Sequence, residues 1–505
     1  MRSAYDAAQI RAGEQPLLDR LPEGTLMRRA ASGLARRCAA LLGRVSGARV
    51  VVLAGSGNNG GDALFAGAAL ARRGARVDAL LTGSSAHEAG LAALRAAGGR
   101  IHPRPEDHGH LDTAGGVETA MVTSADLVLD GMLGIGGRGG LRDAAAQLAD
   151  LLAGLPTAAR PVVVAVDMPS GVDASTGEVA GTAVRADVTV TFGALKTGLV
   201  VAPGAQHAGT VETIDIGLQL PPAPVTLLDA ADVASLLPAP HGETDKYRRG
   251  VVGVVAGSDA YPGAAVLAVG GAVVAGAGMV RYVGVAHPAE LVRQRWPEAV
   301  VTVVDPGDGA AVLDAGRVQA WVIGSGLGTD DAAAAVVEAV LSTDLPVLAD
   351  ADAITVLSRQ PDWLRRRRAP TLLTPHAGEF ARLVDGDRDD VEARRLEHVR
   401  CAAADLGATV LLKGSTTLVA SPEGQVRVNT AQTPYLATAG SGDVLSGICG
   451  ALLATGLDPL DAGSAGAFLH GLAGLLAAGI PAAPFPALQI VDHVAAAVRA
   501  VRLGQ

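Results

Sequence analysis

Short apolar runs recur along the chain, each followed by a glycine-rich turn and then by an alanine-rich stretch of helical length. The clearest of these runs are Arg49–Ala54, Pro161–Val166, Val251–Ala256 and Ala320–Ile323. Apolar and polar positions do not alternate within them, which is typical of parallel strands buried on both faces. Such strands, alternating with helices, predict two doubly wound α/β domains.

Prolines interrupt this pattern near the middle of the chain. The segment Leu218–Pro224 reads L-Q-L-P-P-A-P, and proline can continue neither a helix nor a central strand. We therefore predict a linker at residues 218–227, between domains at residues 1–217 and 228–505. A chain of 505 residues is long for a single domain, which agrees with this division.

Composition and charge narrow the expected partners and compartment. A net charge of −10 argues against nucleic acid or an anionic membrane surface as a partner. Cys38, Cys401 and Cys449 lie far apart in the sequence, which suits a reducing cytoplasm and no zinc site. Residues 260–280 carry no charge but are rich in glycine and alanine, so a buried helix is favoured over a membrane span. Residues 1–12 lack the apolar core of a signal peptide, and we expect a cytoplasmic protein.

The first candidate site is the segment Gly55–Asp62, G-S-G-N-N-G-G-D, which precedes a helix expected from about Ala63. Glycines let backbone N–H groups approach an anion, and a helix N-terminus adds partial positive charge. The glycines also satisfy the dinucleotide fingerprint G-x-G-x-x-G, but the acid expected about 20 residues later would be Asp78, inside the strand Arg76–Leu81. Asparagine and aspartate oxygens suit a monovalent cation or sugar hydroxyls. A purely structural turn is the alternative.

Two further predicted strands end in polar turns. Asp130 ends one strand and leads into a glycine-rich turn that runs through Gly140. Asp167, Ser170 and Asp173 follow the next strand. Because the carboxyl ends of neighbouring parallel strands meet at one crevice, we expect these side chains to form a single site with the first loop.

A stronger signal is the loop Ala439–Asp443, which precedes the apolar helical run Val444–Leu457. The N–H groups at such a helix start form an anion hole, and Asp443 is placed to take a proton from a hydroxyl group. This combination suits phosphoryl transfer, in which backbone dipoles and a metal hold charge while a carboxylate activates the acceptor. The alternative is a glycine-rich helix cap with a solvated aspartate.

Three earlier segments add polar groups after apolar strands. Lys413 is followed by glycine and three hydroxyl residues in L-L-K-G-S-T-T, which suits a nucleotide phosphate, with an ordinary hairpin as the alternative. His376 and Glu379 follow the strand Thr371–Leu373, and we favour substrate or Mg²⁺-water contacts over zinc because no further ligand is suitably placed. The glycine-rich segment Gly324–Gly328 predicts another phosphate or substrate turn.

Four motifs in the first half carry a family resemblance: G-x-G-N-N-G-G-D, L-D-G-M-L-G-I-G-G-R, V-D-M-P-S-G-V-D and T-F-G-A-L-K-T-G-L. With them, residues 1–217 resemble the NAD(P)H-hydrate epimerase family, related to apolipoprotein A-I-binding protein. The resemblance implies a Rossmann-like three-layer sandwich in which Asn59, Asp130 and Ser170 bind potassium and Asp167 does acid/base work. The residues implied to contact the hydrated dinucleotide are Asn58, Asn59, Gly60, Gly61, Asp62, Gly134, Ile135, Gly136, Gly137, Arg138, Gly139, Gly140 and Asp167.

The second half carries the motifs V-V-A-G-S-D-A-Y-P-G-A-A, W-P-E, G-S-G-L-G, A-D-A-D-A-I, T-P-H-A-G-E-F, L-K-G-S-T-T and L-A-T-A-G-S-G-D-V-L-S-G. Residues 228–500 thereby resemble the ribokinase-like ADP/ATP-dependent NAD(P)H-hydrate dehydratases, with Ser325 where proline is common. The resemblance implies hydrate contacts from Ala264, Gly326, His376 and Asp443. It implies nucleotide contacts from Lys413, Gly414, Ser415, Thr416, Thr417 and Gly442.

Together the two resemblances imply a bifunctional repair enzyme. Its first domain would interconvert the R and S hydrates of NADH and NADPH with K⁺ bound, and its second would dehydrate the S form with Mg²⁺ and ADP. Asp443 would be the base of the second reaction, and a homo-oligomer is expected. Two alternatives stay open: a small-molecule kinase of vitamin type in the second half, and a non-catalytic nucleotide sensor in the first.

Overall fold

The apolar runs form the strands of two sheets in a computed structural model that describes residues 1–83, 85–103, 116–156, 160–238, 246–431 and 433–504. The chain divides into two compact units, which we call the N-terminal unit (residues 3–223) and the C-terminal unit (residues 224–505 with Met1 and Arg2). The division falls within the segment expected as a linker, residues 218–227. The last residues of that segment, Val225–Leu227, form a strand of the C-terminal unit.

A parallel sheet is the centre of the N-terminal unit. The strands of this unit are β1 (Arg2–Tyr5), β2 (Arg49–Ala54), β3 (Arg76–Leu81), β4 (Arg100–His102), β5 (Leu127–Gly131), β6 (Val162–Val166), β7 (Val188–Phe192), β8 (Leu195–Lys196) and β9 (Thr210–Ile214). The sheet order is β4-β3-β2-β5-β6-β7-β9, with parallel neighbours throughout, while β1 pairs with β8. The order reverses between β2 and β5, and in such sheets ligands bind in the crevice at this point.

Helices cover both faces of this sheet, as a three-layer sandwich requires. They are α1 (Ala7–Arg20), α2 (Thr25–Leu42), α3 (Asn58–Arg72), α4 (Glu88–Ala96), α5 (Val117–Thr123) and α6 (Asp143–Gly154), with 3-10 turns at Thr197–Leu199 and Gly204–Gln206. Val50 and Val52 of β2 pack into the core formed with α2, α3 and α4. Val51 and Leu53 of the same strand pack into the core formed with α5 and α6. The absence of alternation in this run is therefore explained by burial on both faces.

The first glycine-rich loop is shorter than predicted. Helix α3 begins at Asn58, five residues before the expected start near Ala63, so the predicted loop residues 58–62 form its first turn. Gly60 makes this possible because its backbone lies against the carbonyl oxygen of Gly55, which a Cβ would approach to 2.1 Å. Glycine has a low helix propensity, which suggested a loop. Glycine is favoured here because the backbone passes close to Gly55 after β2, where a side chain would not fit.

The C-terminal unit also contains a largely parallel sheet. Its strands are β10 (Val225–Leu227), β11 (Val251–Val255), β12 (Met279–Gly284), β13 (Val300–Val303), β14 (Ala320–Ile323), β15 (Val347–Ala349), β16 (Thr371–Leu373), β17 (Thr409–Leu412), β18 (Thr417–Ala420) and β19 (Val426–Asn429). The order is β13-β12-β11-β14-β15-β16-β17-β18-β19-β10. Only the β17–β18 and β18–β19 pairs are antiparallel among these described strands. The turn that carries Lys413 is thus a hairpin as well as a candidate phosphate site.

The helices of this unit are α7 (Ala230–Leu236), α8 (Pro262–Val274), α9 (Ala286–Arg295), α10 (Gly309–Leu313), α11 (Asp331–Leu341), α12 (Asp352–Arg359), α13 (Asp362–Arg366), α14 (Ala377–Leu383), α15 (Arg388–Ala393), α16 (Arg395–Leu406), α17 (Ser441–Ala454), α18 (Pro459–Ala478) and α19 (Ala487–Arg502), with a 3-10 turn at Pro434–Leu436. The buried helix expected over residues 260–280 is present but ends at Val274, and the remaining residues lead into β12. In the part of the chain that the structure describes, α18 alone has the length and hydropathy to cross a membrane. Of its apolar stretch, 67% is buried inside the protein, as in the core helix of a globular domain.

Candidate active sites

A cavity of about 1000 Å³ lies at the carboxyl ends of β2, β5 and β6 in the N-terminal unit. Its volume is at the upper end of the range of about 300–1,000 Å³ for small-molecule sites, so a ligand of dinucleotide size fits. Helices α1 and α2 contribute Arg11, Glu14, Met27 and Arg28 to its wall. The predicted residues that line it are Asn58, Asn59, Asp62, Gly134, Ile135, Gly136, Gly137 and Asp167.

Asp167 is held rigidly at the wall of this cavity. It follows β6 directly in a left-handed conformation with φ of 65°. Its Oδ1 accepts hydrogen bonds from Lys196 Nζ at 2.6 Å, Phe192 N at 3.0 Å and Thr191 Oγ1 at 3.1 Å. Lys196 is only 1% exposed, and its ammonium group also donates to the Phe192 carbonyl at 2.6 Å. A buried ion pair thus fixes Asp167 as a carboxylate, with Oδ2 left outside these bonds.

Asp62 has the opposite character. Its Oδ1 is buried and accepts no hydrogen bond from the described residues. Burial, followed by the nearby carboxyl groups of Asp167 and Glu14, raises the pKa of Asp62 well above its usual value, and Lys196 offsets only part of this. The pKa of Glu14 is also raised, chiefly by burial and then by Asp167. Asp167 is therefore a carboxylate fixed by hydrogen bonds, whereas Asp62 in the same cavity has a raised pKa and favours its protonated form more than an ordinary aspartate does.

The three residues expected to bind potassium lie together beside this cavity. The Ser170 hydroxyl donates to Asp130 Oδ1 at 2.5 Å, and the Ser170 N–H donates to Asp130 Oδ2 at 2.8 Å. The Leu133 N–H donates to the Ser170 hydroxyl at 2.8 Å, and Asn59 Nδ2 donates to the Leu133 carbonyl at 3.0 Å. Asp130 is fully buried, and burial raises its pKa to about 6. The three side chains thus meet around the Leu133 backbone.

Other residues predicted for this site lie apart from the cavity. Gly60 and Gly61 are buried in the first turn of α3, and Arg138, Gly139 and Gly140 are not among the described residues that line the cavity. The expectation that Asp173 joins the site is wrong. Its Oδ1 instead accepts the N–H groups of Ser175 and Thr176 at 2.8 and 3.1 Å, because it shapes the following turn.

The second site lies at the start of α17 in the C-terminal unit. Gly440, with φ of 85°, precedes the helix and has no side chain to cap it. The Ser441 N–H donates to the Thr438 carbonyl at 3.2 Å, which leaves the N–H groups of Gly442 and Asp443 for an anion. Asp443 lies in the first turn. Burial and then the charge of Asp350 raise the pKa of Asp443 to about 7, while Ser325 and Lys413 partly offset this. A carboxyl group with a pKa near neutrality is suited to act as a general base.

Asp350 connects the groups around Asp443. This aspartate is 1% exposed, and its Oδ1 accepts from Lys413 Nζ at 2.9 Å while its Oδ2 accepts from the Ser446 hydroxyl at 2.7 Å. Lys413 Nζ also lies 3.8 Å from Glu379 Oε2. Burial lowers the pKa of Lys413, but Asp350 and Glu379 outweigh this and the pKa is raised. The lysine thus carries a persistent positive charge at the site.

The predicted hydrate and nucleotide residues fall into two groups around these charges. A Cβ on Gly442 would lie 3.2 Å from Lys413 Nζ, so these two nucleotide candidates are adjacent. Gly326 has φ of 63°, and a Cβ there would meet the Ala264 Cβ at 2.8 Å, so these two hydrate candidates are also adjacent. Ser325, beside Gly326, donates a hydrogen bond to Asp350 Oδ2 at 3.4 Å and thereby connects the groups.

His376 has a structural role as well as the expected hydrate contact. Its Nδ1 accepts the N–H groups of Gly378 and Glu379 at 3.0 and 3.1 Å, and this caps α14. Burial lowers the pKa of His376, so the neutral imidazole that this cap requires is favoured at neutral pH. The side chain remains 57% exposed and accessible to a ligand.

The turn between β17 and β18 is supported from inside the protein by Arg395. This residue is 4% exposed at the start of α16, and its Nη2 donates to the carbonyls of Leu412, Lys413 and Thr416 at 3.2, 2.9 and 3.3 Å. Gly414 packs directly on the guanidinium, which a Cβ would approach to 2.4 Å. Among the nucleotide candidates, Thr416 and Thr417 are each 5% exposed, whereas Gly414 and Ser415 are exposed.

Comparisons with known proteins identify the family. A family model described as NAD(P)H-hydrate dehydratase matches residues 252–494, and one described as YjeF-related protein N-terminus matches residues 23–198. A bifunctional NAD(P)H-hydrate repair enzyme of Mycobacterium tuberculosis H37Rv is 50% identical over 462 residues, which cover 90% of each chain. The enzyme of the same name from Mycobacterium leprae is 47% identical over 509 residues, covering 99% of this chain and 100% of that one.

The chain belongs to the family of bifunctional NAD(P)H-hydrate repair enzymes. Among solved structures, a ribokinase-like superfamily protein from Enterococcus faecalis is 23% identical with a TM-score of 0.50, covering 56% of this chain and 98% of that one. A Bacillus subtilis ADP/ATP-dependent NAD(P)H-hydrate dehydratase, co-crystallised with ATP and Mg²⁺, is 29% identical with a TM-score of 0.49, covering 55% and 99%. The predicted fold class, two α/β domains of Rossmann-like and ribokinase-like type, is confirmed.

Sequence reasoning about this member of the repair family missed several polar residues at the two sites. Lys196 and Asp350 occur in motifs that were recognised, but their charges were not assigned a role. The sequence contains three lysines, and Lys196 and Lys413 each form a buried ion pair with a site aspartate. This scarcity is a usable signal. The sequence contains no comparable signal for Glu14 and Arg395, because each lies in an ordinary charged helical segment.

Proposed function

We propose that the protein repairs hydrated NADH and NADPH with two activities on one chain. The N-terminal unit interconverts the R and S hydrates, and the C-terminal unit dehydrates the S form while ADP is converted to AMP and phosphate. The observation that carries this proposal is the presence of two different sites on one chain. The first is a dinucleotide-sized cavity that contains Asp62 and Asp167, two carboxyl groups with unlike surroundings. The second is Asp443, a base with a pKa of about 7 at a helix N-terminus. A stereospecific dehydratase alone would leave one epimer unrepaired, so the two activities complement each other.

In the N-terminal unit, the hydrate is proposed to occupy the cavity with C6 near Asp167. A carboxylate fixed by Lys196 can accept a proton at neutral pH. Asn58, Asn59, Asp62 and the Gly134–Gly140 turn would contact the rest of the dinucleotide, with the first turn of α3 offering N–H groups to its phosphates. Of that turn, Gly134–Gly137 provide the cavity wall.

Asn59, Asp130 and Ser170 are proposed to bind K⁺. The fit rests on three oxygen-bearing side chains that meet at the Leu133 backbone, one of them a fully buried carboxylate. Hard cations take carboxylate, amide and hydroxyl oxygens. The bound cation would compensate the charge of Asp130 and stabilise the turn after β5.

Removing K⁺ is expected to destabilise the N-terminal unit. With K⁺ at about a hundredfold excess over its Kd, the midpoint of thermal unfolding should be about 5 °C higher than in tetramethylammonium at equal ionic strength. Asp130→Asn should abolish this difference, whereas Asp19→Asn on the exposed face of α1 should retain it. Differential scanning calorimetry measures both. An equal K⁺ effect in Asp130→Asn would contradict the site.

In the C-terminal unit, Asp443 is proposed to take the proton of the C6 hydroxyl as that oxygen attacks the terminal phosphoryl group of ADP. The phosphate then leaves C6 with the electron pair of the C6–O bond while C5 gives up a proton to solvent water, and the 5,6 double bond of the ring is restored. Phosphate is a far better leaving group than hydroxide. Lys413 and the N–H groups of α17 would hold the transferred phosphoryl group. Gly414, Ser415, Thr416, Thr417 and Gly442 would contact the nucleotide, and Ala264, Gly326 and His376 the hydrate.

Mg²⁺ is proposed to accompany the nucleotide. The carboxylates of Asp350 and Glu379 lie beside Lys413 and offer the oxygens that this ion prefers. Within the described ranges, no group of three or more histidine, cysteine or acidic side chains is placed to hold a metal ion. This fits an ion that is ligated largely by phosphates. When bound, Mg²⁺ would neutralise phosphate charge. ADP as the nucleotide, a cytoplasmic location and a homo-oligomeric state are part of this proposal.

Removing the Arg395 guanidinium is expected to weaken nucleotide binding. Arg395→Met deletes three hydrogen bonds to the carbonyls of the β17–β18 turn, and each such loss costs on the order of 1 kcal/mol. The KM for ADP should therefore rise about tenfold or more, with a smaller change in the KM for the hydrate. Steady-state kinetics with each substrate varied measures this. Arg388→Met on the neighbouring helix α15, where the arginine is exposed, is the matched control, and equal KM values in both variants would refute the role.

A product assay separates this proposal from a vitamin-type kinase. Dehydration yields inorganic phosphate and restored NADH absorbance in equal amounts, whereas a kinase accumulates a stable phosphorylated compound. Unchanged R-hydrate turnover in Asp167→Ala would instead favour a non-catalytic nucleotide sensor for the N-terminal unit.

A further inference from the structure

Two of the carboxyl groups that line the N-terminal cavity, those of Asp62 and Asp167, have very different contacts. Asp167 Oδ1 accepts three hydrogen bonds, one of them from a buried ammonium group. Asp62 Oδ1 is buried and receives none from the described residues, although both residues line the same cavity. When the surroundings of two carboxyl groups favour opposite protonation states, the protonated one can act as an acid and the ionised one as a base.

Epimerisation at C6 requires such a division. The hydroxyl at C6 is attached to the carbon next to the ring nitrogen N1, so the N1 lone pair can form a C6=N1 double bond as the C6–O bond breaks. The departing oxygen needs a proton in order to leave as water. Water must then add to the opposite face of C6 and give up a proton, while the electron pair returns to N1.

We propose that Asp62 is the proton donor of the epimerase, protonating the departing C6 hydroxyl, and that Asp167 takes the proton of the water that adds to the opposite face. This inference rests on the proposed function of the N-terminal unit and assigns its second catalytic group. One proton shared by the two carboxyl groups balances the reaction. After one turnover the proton is on Asp167, which is the state from which the reverse epimerisation starts.

The raised pKa of Asp62 supports this assignment, because burial and the carboxyl groups of Asp167 and Glu14 favour its protonated form. Other titratable groups face the same space from every element around it. They are Arg11, Glu14, Glu23, Arg28 and His87 on the wall, with Lys196 bound to Asp167. The state with a single shared proton should exist only between two pH limits, so the rate should follow a bell-shaped profile.

The variant Asp62→Asn tests the assignment because asparagine matches the shape and neutrality of the protonated acid but donates no acidic proton. Its thermal unfolding midpoint should stay close to that of the wild type, so misfolding is not expected. The rate of R-to-S interconversion, followed by chromatography of the two hydrates, should fall at least 100-fold. In H₂¹⁸O the wild type should incorporate ¹⁸O at C6 with each interconversion, and the variant should lose both processes together. Asp19→Asn on the exposed face of α1 is the control.

The outcomes are distinguishable. Interconversion by the wild type with an Asp62→Asn rate within about threefold of it would overturn the assignment and leave the epimerase function intact. Interconversion without ¹⁸O incorporation would also overturn it, because opening of the ring at the C6–N1 bond retains the oxygen. If the wild type does not interconvert the hydrates at all, the proposed function itself fails. Should Asp62→Asn fold poorly, a wild-type pH profile without an alkaline limb would overturn the assignment on its own.

Discussion

Asp443→Asn is expected to lower the rate of ADP-dependent dehydration of the S hydrate about 10³-fold while leaving the KM for ADP within a few-fold of the wild-type value. The substitution removes the base that takes the C6 hydroxyl proton, but it retains Lys413, Gly442 and the N–H groups of α17 that would hold the nucleotide. The rate is measured by the return of NADH absorbance. Asp492→Asn, at an exposed position on α19, is the matched control and should behave as the wild type.

The pH dependence of the wild type gives the same test a second readout. With a pKa of about 7 for Asp443, the dehydration rate should fall about tenfold for each pH unit below 7, because a protonated carboxyl cannot act as the base. Above pH 7 the rate should level off. A rate independent of pH between 5 and 7, or an Asp443→Asn variant with more than a tenth of wild-type activity, would contradict the assignment.

The same variant should be more stable than the wild type at pH 8. The folded state binds the Asp443 proton more tightly than the unfolded state does, since its pKa is raised from 3.8 to about 7. Stability from this group therefore falls as pH rises from about 4 to about 7, and the full cost is present above pH 7. Asparagine avoids that cost, so the free energy of unfolding in urea should rise by about 4 kcal/mol at pH 8 and little at pH 4.

Lys196→Met is expected to destabilise the N-terminal unit by about 3–5 kcal/mol, since it leaves the buried Asp167 carboxylate without its counterion. R-to-S interconversion should also fall at least 100-fold, because the base loses the group that fixes it. Urea unfolding measures the first effect and chromatography of the hydrates the second.

Two further variants separate charge from packing in that result. Lys246→Met removes an exposed lysine and should change neither the free energy of unfolding nor the rate of R-to-S interconversion. The double variant Lys196→Met/Asp167→Asn removes the buried charge together with its partner, so it should recover much of the lost stability while staying inactive. A Lys196→Met variant within 1 kcal/mol of the wild type would show that the ion pair is dispensable.

The strands and the positions of both sites could be predicted from the sequence because their signals are local. Arg49–Ala54 and Ala320–Ile323 were predicted to the residue, since unbroken apolar runs between glycine-rich turns have few alternatives. The predicted start of α3 was wrong because the glycines of Gly55–Asp62 allow two backbone segments to pass close together. A helix propensity does not distinguish such glycines from those of a flexible loop. Asp173 was wrong because a turn residue and a site residue have the same sequence appearance.

The chemistry of the sites was less predictable, because it depends on neighbours that are remote in sequence. Glu14 and Asp62 are 48 positions apart, yet the Glu14 carboxyl group helps to raise the pKa of Asp62. Asp443 depends on Asp350, and the turn at Lys413 depends on Arg395 from another helix. A resemblance to a family names candidates residue by residue, but only packing shows which carboxyl oxygen is buried without a hydrogen bond among the described residues and which carboxylate is paired with a lysine.

Repair of both epimers by one chain is the activity proposed for this protein. Its most direct test is the incubation of the wild type with an equal mixture of R and S hydrates, excess ADP, Mg²⁺ and K⁺, followed by NADH absorbance and phosphate release. NADH and phosphate should each reach the total amount of hydrate supplied, and Asp167→Ala should stop near half of this total on the same timescale. Failure of the wild type to regenerate NADH would refute the proposed function, as would full recovery by Asp167→Ala at the wild-type rate.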